Sequence, residues 1–536
     1  MIKKIFSVCV LFLLAFSFPL LSSAEQLTIL HANDTHSHLY SFGPFHTYGG
    51  IARMSTLIKR LKKKNKNVLT LHAGDVFVGT FAFNKYLAYP ELKIMEGLYD
   101  AMCLGNHEFD LGADTLTAIL GGAVSSEEPV MLPLLCANVD LSGYPNLAGI
   151  VKPWIIKEVG DIKVGLIGVV TTDENNYSQE VHAILTDPYQ AAGQAAHILG
   201  SQDCDIVICL SHLGKLPDEL GLSQVPGIDV IVGGHSHDAV FEPINEGGKI
   251  IVQAGEFGKY LGELKVNIDT EGNVSLTDYK LHSVDWRIRR DFSLIWNLMK
   301  FRTGIYKDPR FGPVYSKTIA RAKWDLEEKW EEGNPSKDTP LGNLVTDALR
   351  RGVKKSGIEL PGGYPKIIAL EANGYIAHRI YRGRVVGNDI LRSVPYGYDP
   401  ESGLGFKINA VLLAGQQILA GLEFSVSNVE YTDELSMQAS GLRFEYDSSK
   451  PPASLGELSR VDPASVKIHG ELINPNGLYW VVLNEQLATL LVSLGLQPFS
   501  EVKTGLFEYN LVRDFMSKLK VLSYTSEGRI VDTAVK

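Results

Sequence analysis

Five short clusters of metal-binding residue types lie between residues 34 and 237. They read Asp34-Thr35-His36, Gly74-Asp75, Gly105-Asn106-His107-Glu108, Ser211-His212 and Gly233-Gly234-His235-Ser236-His237. Four closely follow an apolar, strand-like run: Leu27 to Leu30, Val68 to Leu71, Ile206 to Leu210 and Val230 to Val232. The fifth follows the shorter run Ala101 to Leu104. In an α/β sheet, ligands collect just beyond the carboxyl ends of the strands. Five such turns would pool imidazoles, carboxylates and an amide at one edge, an inventory that suits two divalent metals. Any one of these histidines alone is an ordinary surface or core residue, and Gly-Asp is a common turn. Repetition at successive strand exits is what carries the reading.

The elements that must position these groups follow from periodicity. Residues 25–285 alternate short Val/Ile/Leu runs with helical stretches. Apolar residues at 51, 54, 57, 58 and 61 mark an amphipathic helix whose end, through Lys66, is basic and solvated. Further strands are expected at 131–135, 163–170 and 250–253. The glycines of Val164-Gly-Leu-Ile-Gly-Val-Val170 lack a helix-opening Gly-rich turn after them, so they do not make a dinucleotide site. Residues 286–323 read as a linker, with Trp286 to Arg290 and Phe292 to Phe301 forming one mixed basic and apolar helix; a membrane-surface helix is the rival. A second unit, 324–536, opens near the charged stretch 323–332. Asp338-Thr339-Pro340 then marks a helix start with an Asp or Thr cap and a first-turn proline. Strands are expected at 367–370, 407–413, 442–446 and 478–483. Asn484 to Gly495 reads as an apolar helix.

At 536 residues the chain exceeds what one core serves, which predicts two domains and a connector. The net charge of −10 gives no general electrostatic footprint for duplex nucleic acid. Residues 1–24 read as a secretory leader: Lys3-Lys4, an apolar stretch from Ile5 to Leu21, and Ser22-Ser23-Ala24 before Glu25. The protein is therefore expected to be exported, periplasmic or extracellular, with no membrane span once the leader is removed. An uncleaved anchor is the alternative. Cys103, Cys136 and Cys209 lie in apolar runs and read as buried free thiols; with Cys204 they form no Cys-x-x-Cys pattern, and no pairing is chosen.

With these five clusters in order, the first half resembles the calcineurin-like metallophosphoesterases. The opening Leu30-His-Ala-Asn-Asp-Thr-His-Ser-His38, with Gly49-Gly-Ile-Ala-Arg53, looks more narrowly like the secreted 5′-nucleotidase / UDP-sugar hydrolase family. Leu341-Gly-Asn-Leu-Val-Thr-Asp-Ala348 and Gln438-Ala-Ser-Gly-Leu-Arg-Phe444 are similar to that family's carboxy-terminal domain. The resemblance implies an α/β fold: a four-layer α/β/β/α metallophosphoesterase domain followed by an α/β 5′-nucleotidase-type domain, with the site between them.

It also implies roles. Asp75 would bridge two divalent ions (Zn, Mn, Fe or Co). Asp34, His36 and His237 would complete one metal site, and Asn106, His212 and His235 the other. His107 would face the phosphate and Asp110 would orient it. His38 is left outside this set, and Ser236 and Glu108 read as supporting groups. On the substrate side the chain departs from the family. Ala377 stands where an arginine belongs in Asn373-Gly-Tyr-Ile-Ala-His-Arg379, leaving Arg379 two positions late. Pro395-Tyr-Gly-Tyr398 keeps aromatics, Tyr396 and Tyr398, but loses an asparagine, and the late Gly-Gly-Asp-Gly-Tyr loop is absent. The expected activity is hydrolysis of 5′-nucleotides or a related small-molecule phosphoester. UDP-sugar, 2′,3′-cyclic nucleotide or thiosulfate-type hydrolysis on the same scaffold, or a binding protein without catalysis, are the alternatives.

Overall fold

The computed structural model describes residues 25–123, 128–173, 179–363, 366–454 and 456–535. The leader read over residues 1–24 lies outside them.

Two sheets face each other in the first half. One has the strand order Val274–Ser283, Tyr260–Ile268, Glu25–Ala32, Val68–His72, Ala101–Cys103, Leu134–Leu135, Val151–Lys152. The other runs Ile244–Glu246, Lys249–Gln253, Val230–Gly233, Ile206–His212, Ile162–Val170, Trp154–Val159. Leu27, Ile29, Leu69 and Leu71 from the first interlock with Leu166, Ile208, Leu210 and Val232 from the second. The strands at this junction are buried on both faces, which is why they read as continuous apolar runs. Helix Ile51–Lys64 covers the outer face of the first sheet through Met54, Leu57, Ile58 and Leu61. Helix Pro188–Gly200 covers the second through Ala192, Ala195 and Leu199. The result is the expected four layers. Gly168 serves this packing: a Cβ there would come within 2.6 Å of Leu135.

The second half is built on a five-stranded sheet ordered Met437–Ser440, Ile368–Ala372, Leu478–Asn484, Lys407–Ala414, Ser500–Phe507. Helix Pro340–Lys355 packs beside it. Thr339 is its cap, accepting from Gly342 N at 2.9 Å. Asp338 instead accepts from Asn343 Nδ2 at 2.6 Å and from the backbone of Glu527 and Arg529.

Three local expectations change. The helix expected from Trp286 starts at Phe292, because Asp291 caps it by accepting from Ser293 N and is itself pinned by Ser55 and Lys59. The strand expected over 131–135 forms only at Leu134–Leu135, with Met131 exposed. Within the segment read as linker, Thr318–Ala322 is the central strand of a small sheet with Gly383–Val386 and Val521–Leu522. All four described cysteines are free; Cys103, Cys136 and Cys209 are buried. No helix among the described residues is long and apolar enough to cross a membrane.

The halves share one hydrophobic cluster. Phe81 packs on Phe311 with ring centroids 5.0 Å apart and on Tyr509 at 5.6 Å. Nearer the site, His38 stacks on His378 at 5.6 Å, and Phe257 lies 4.8 Å from the same ring.

Candidate metal centre

The five clusters do meet, at the carboxyl edge of the two facing sheets. Asp34, His36 and His237 bring one ligand atom each within 4.8 Å of one another, and Asp75, His212 and His235 do the same. The two groups adjoin: His212 Nε2 is 3.1 Å from Asp75 Oδ2 and 3.7 Å from Asp34 Oδ1, and His36 Nε2 is 3.7 Å from Asp75 Oδ2. Asp75 thus stands between both sets.

The backbone is bent to achieve this. Asp34, His36, Asp75, His235 and His237 all adopt positive φ, between 43° and 75°. Such conformations are uncommon outside glycine and persist only where the surroundings over-determine them. Here the loops are zipped together. Asp34, His36 and Ser37 donate their N–H groups to the carbonyls of Gly74, Asp75 and Val76 at 3.0, 3.0 and 2.8 Å. Glu108 gathers the neighbouring turn, accepting from the backbone N–H of Asp75, Val76, Phe77 and Gly105 at 2.6–3.1 Å. Gly105 admits the Asp75 carboxylate; a Cβ there would lie 2.1 Å from Asp75 Oδ1.

The donor set fits cations. Three imidazoles have their Nδ1–H committed: His36 to Phe77 O (3.1 Å), His212 to Ala73 O (2.6 Å) and His237 to Glu256 Oε2 (2.9 Å). Each Nε2 therefore points inward, as when outer hydrogen bonds orient metal-binding histidines. Burial lowers His212 and His237, but Asp75 lifts His212 to about 9 and Asp34 raises His237, so a cation would take the place of a proton on these two rings. His36 Nε2 and His237 Nε2 face each other at 3.1 Å, a spacing that one shared proton would bridge and that a cation between them would replace. His212 Nε2 and Asn106 Oδ1 are buried without hydrogen-bond partners. Burial pushes His36 and His235 down to about 3, so both are neutral and free to donate a lone pair. Burial pushes Asp34 up to about 6 against the pull of His237 and His212.

Beside this centre, His107 Nε2 is 4.0 Å from Asp75 Oδ2 and its Nδ1 is 2.8 Å from Asp110 Oδ2. Burial alone would lower the His107 imidazole, but Asp110 and then Asp75 lift it to about 10. Those two carboxylates favour the imidazolium at neutral pH. Tyr396, from the second half, lies face to face with it at 5.1 Å and 20°. Tyr375 meets Tyr396 edge-on at 5.9 Å. Tyr398 packs farther out, 6.3 Å from Phe83. Arg379 is occupied: Nη1 is 2.8 Å from Glu327 and Nε 3.5 Å from Glu328.

Two groups escaped the sequence reading. Glu256 follows the exit of strand Lys249–Gln253, the same signal that marked the other clusters, and holds His237. Lys329 is exposed, has no ion pair among the described residues, and lies within electrostatic reach of His237, Glu256 and Asp433. Only its approach to the metal side in the folded chain singles it out.

Residues 27–239 match the family model described as calcineurin-like phosphoesterase, and residues 319–489 match the 5′-nucleotidase C-terminal domain. The chain is 28% identical to a 5′-nucleotidase of Diplobatis ommata, over 94% of this chain and 90% of that one. It is similar to the solved 5′-nucleotidase precursor of Thermus thermophilus, with 31% identity, a TM-score of 0.81, and coverage of 95% of this chain and 99% of that one. The sulfate thiohydrolase SoxB of the same species shares the fold alone, at 17% identity and a TM-score of 0.74 over 95% and 97% of the two chains.

Proposed function

The chain belongs to the calcineurin-like phosphoesterases that carry a 5′-nucleotidase C-terminal domain, a family of dimetal hydrolases, and on that premise we propose that it removes phosphate from 5′-nucleotides or closely related phosphoesters. The observation that carries the reading is the convergence of two three-residue ligand groups on Asp75 with the His107 imidazolium beside them.

Asp34, His36 and His237 would hold one ion, Asn106, His212 and His235 the other, and Asp75 would serve both with its carboxylate. When bound, two divalent ions supply the charge that polarises a phosphoryl oxygen and lowers the pKa of water enough for attack at neutral pH. The rest falls to the chain. His107 directs its Nε2–H toward the centre because Asp110 holds the other nitrogen, so it can stabilise charge on the phosphoryl group and hand a proton to the leaving oxygen. Glu256 keeps the His237 lone pair inward. Tyr396 covers the outer face of His107 and excludes water from it, and offers an aromatic wall for a leaving group, while Tyr398, packed toward Phe83, stands apart from that wall.

Arg379 would reach a substrate only by leaving Glu327 and Glu328. This favours a second reading, in which the same centre acts on phosphoesters with less stringent demands on the leaving group. The leader sequence over residues 1–24 supports export to the periplasm or beyond. A hydrolysis screen with Mn, Zn and Co tests both readings, using AMP, an aryl phosphate, an aryl phosphodiester, UDP-glucose and 2′,3′-cyclic AMP. Preference for AMP is the expected result. Equal turnover of the aryl esters would favour the second reading, and no turnover with any metal would overturn both.

A further inference from the structure

Helix Phe292–Lys307 presents two unlike faces. Leu298 and Ile305 are buried, and Leu294 packs against the shared core. On the opposite side Phe292 is 85% exposed, Trp296 78% and Met299 56%; Tyr306, 47% exposed, continues the row at its end, where its ring rests edge-on against Tyr315. Their spacings of four, three and seven residues put them on one stripe. Trp286, 68% exposed, stands just ahead of the helix. Single exposed apolar residues are ordinary, but a stripe of large aromatics is not.

The stripe is flanked by positive charge. Arg289, Arg290, Lys300 and Lys307 are exposed and have no ion pair among the described residues. The one acidic residue of this stretch, Asp291, is spent on capping the helix and on Ser55 and Lys59. In a chain of net charge −10, this is a local reversal of sign.

We propose that this face docks the protein on an anionic bilayer surface, with Phe292, Trp296 and Met299 in the interfacial layer and the four cations among the headgroups. Aromatic side chains favour that layer, and basic residues beside them are drawn to anionic lipid. A helix of this length, about 24 Å, lies in the plane of the surface and does not cross it. A second copy fits less well, since a two-fold contact through this face would set the same four cations against themselves.

Sedimentation of the full chain with phosphatidylcholine vesicles, with and without phosphatidylglycerol, tests the proposal. Binding should rise with phosphatidylglycerol and fall with added salt. The double variant Phe292→Ser/Trp296→Ser should partition about tenfold less or weaker still. Arg289→Gln/Arg290→Gln should lose the preference for phosphatidylglycerol. Both variants should keep the parent's melting temperature, since none of the four side chains is buried. Equal vesicle binding by parent and double variant would overturn the proposal, because a leader or another surface would then carry it. So would a parent indifferent to lipid charge. Self-association abolished by Trp296→Ser, without vesicle binding, would overturn it in favour of a second copy.

Discussion

The ring of Tyr396 stacks on that of His107, 5.1 Å away and 20° from parallel, so a residue of the second half forms one wall around an imidazole of the first. Tyr396→Ala should open that wall to water. We expect kcat to fall about tenfold or more while metal content, measured by elemental analysis, stays at the parent's value. A change in KM alone would assign Tyr396 to leaving-group binding only.

His107→Asn should lower kcat about 10²- to 10⁴-fold with both metals retained. Asp110→Asn tests the pairing separately. Asp110 is the main charge raising the His107 imidazole, so its removal should lower that pKa. Activity that needs the protonated ring is lost as pH rises through its pKa, so the alkaline limb of the kcat profile should move to lower pH. An unmoved alkaline limb would separate Asp110 from the proton transfer.

Glu256→Gln should weaken metal retention about 10- to 100-fold, the usual cost of losing an orienting partner of a metal-binding histidine. Chelator titration reads this directly. Retention equal to the parent's would mean that the loop, and not Glu256, sets the His237 ring.

Arg379 and Lys329 should separate stability from substrate grip. Arg379→Ala leaves the buried Glu328 without its partner, so the melting temperature should fall while KM moves less than about threefold. Lys329→Ala should do the reverse, raising KM for phosphomonoesters with little change in stability, since its ammonium makes no close ion pair among the described residues and acts electrostatically on His237. The opposite split would return the grip to Arg379.

Glu371 and Glu508 face each other in the core of the second half, and burial raises Glu371 well above its usual range and Glu508 to about 8. A carboxyl raised in the fold contributes stability below its unfolded pKa of 4.5 and loses it as pH climbs toward 8. Glu508→Gln should therefore melt higher than the parent at pH 8.5 and show a smaller or no advantage at pH 5. Parallel melting curves for the two proteins across that range would rule the pair out as a pH-dependent element.

The ligand groups were legible because each follows a strand, and strand exits in such a sheet share one edge. Helix Ile51–Lys64 and the Thr339-capped helix were legible for a similar reason: their signals are local in the chain. What escaped depends on partners far away in sequence. Asp291 ends the basic run before Phe292 because Lys59 and Ser55 wait for it, and no periodicity encodes that. Arg379 stands two positions late in its segment, and nothing in that segment shows that Glu327 and Glu328, some fifty residues earlier, close on it. Thr318–Ala322 could not be read as a sheet's central strand when its neighbours lie at 383–386 and 521–522.

The buried thiols of Cys103, Cys136 and Cys209 make no crosslinks, and burial raises each of them far from reactivity. Cys103 sits on one of the two facing sheets and Cys209 on the other. Cys103 packs between the sheets and Cys209 beneath helix Pro188–Gly200, so their alkylation rates are native clocks for two different openings, needing no introduced label. No disulfide joins the described cysteines, so the fold of the described residues calls on no oxidant.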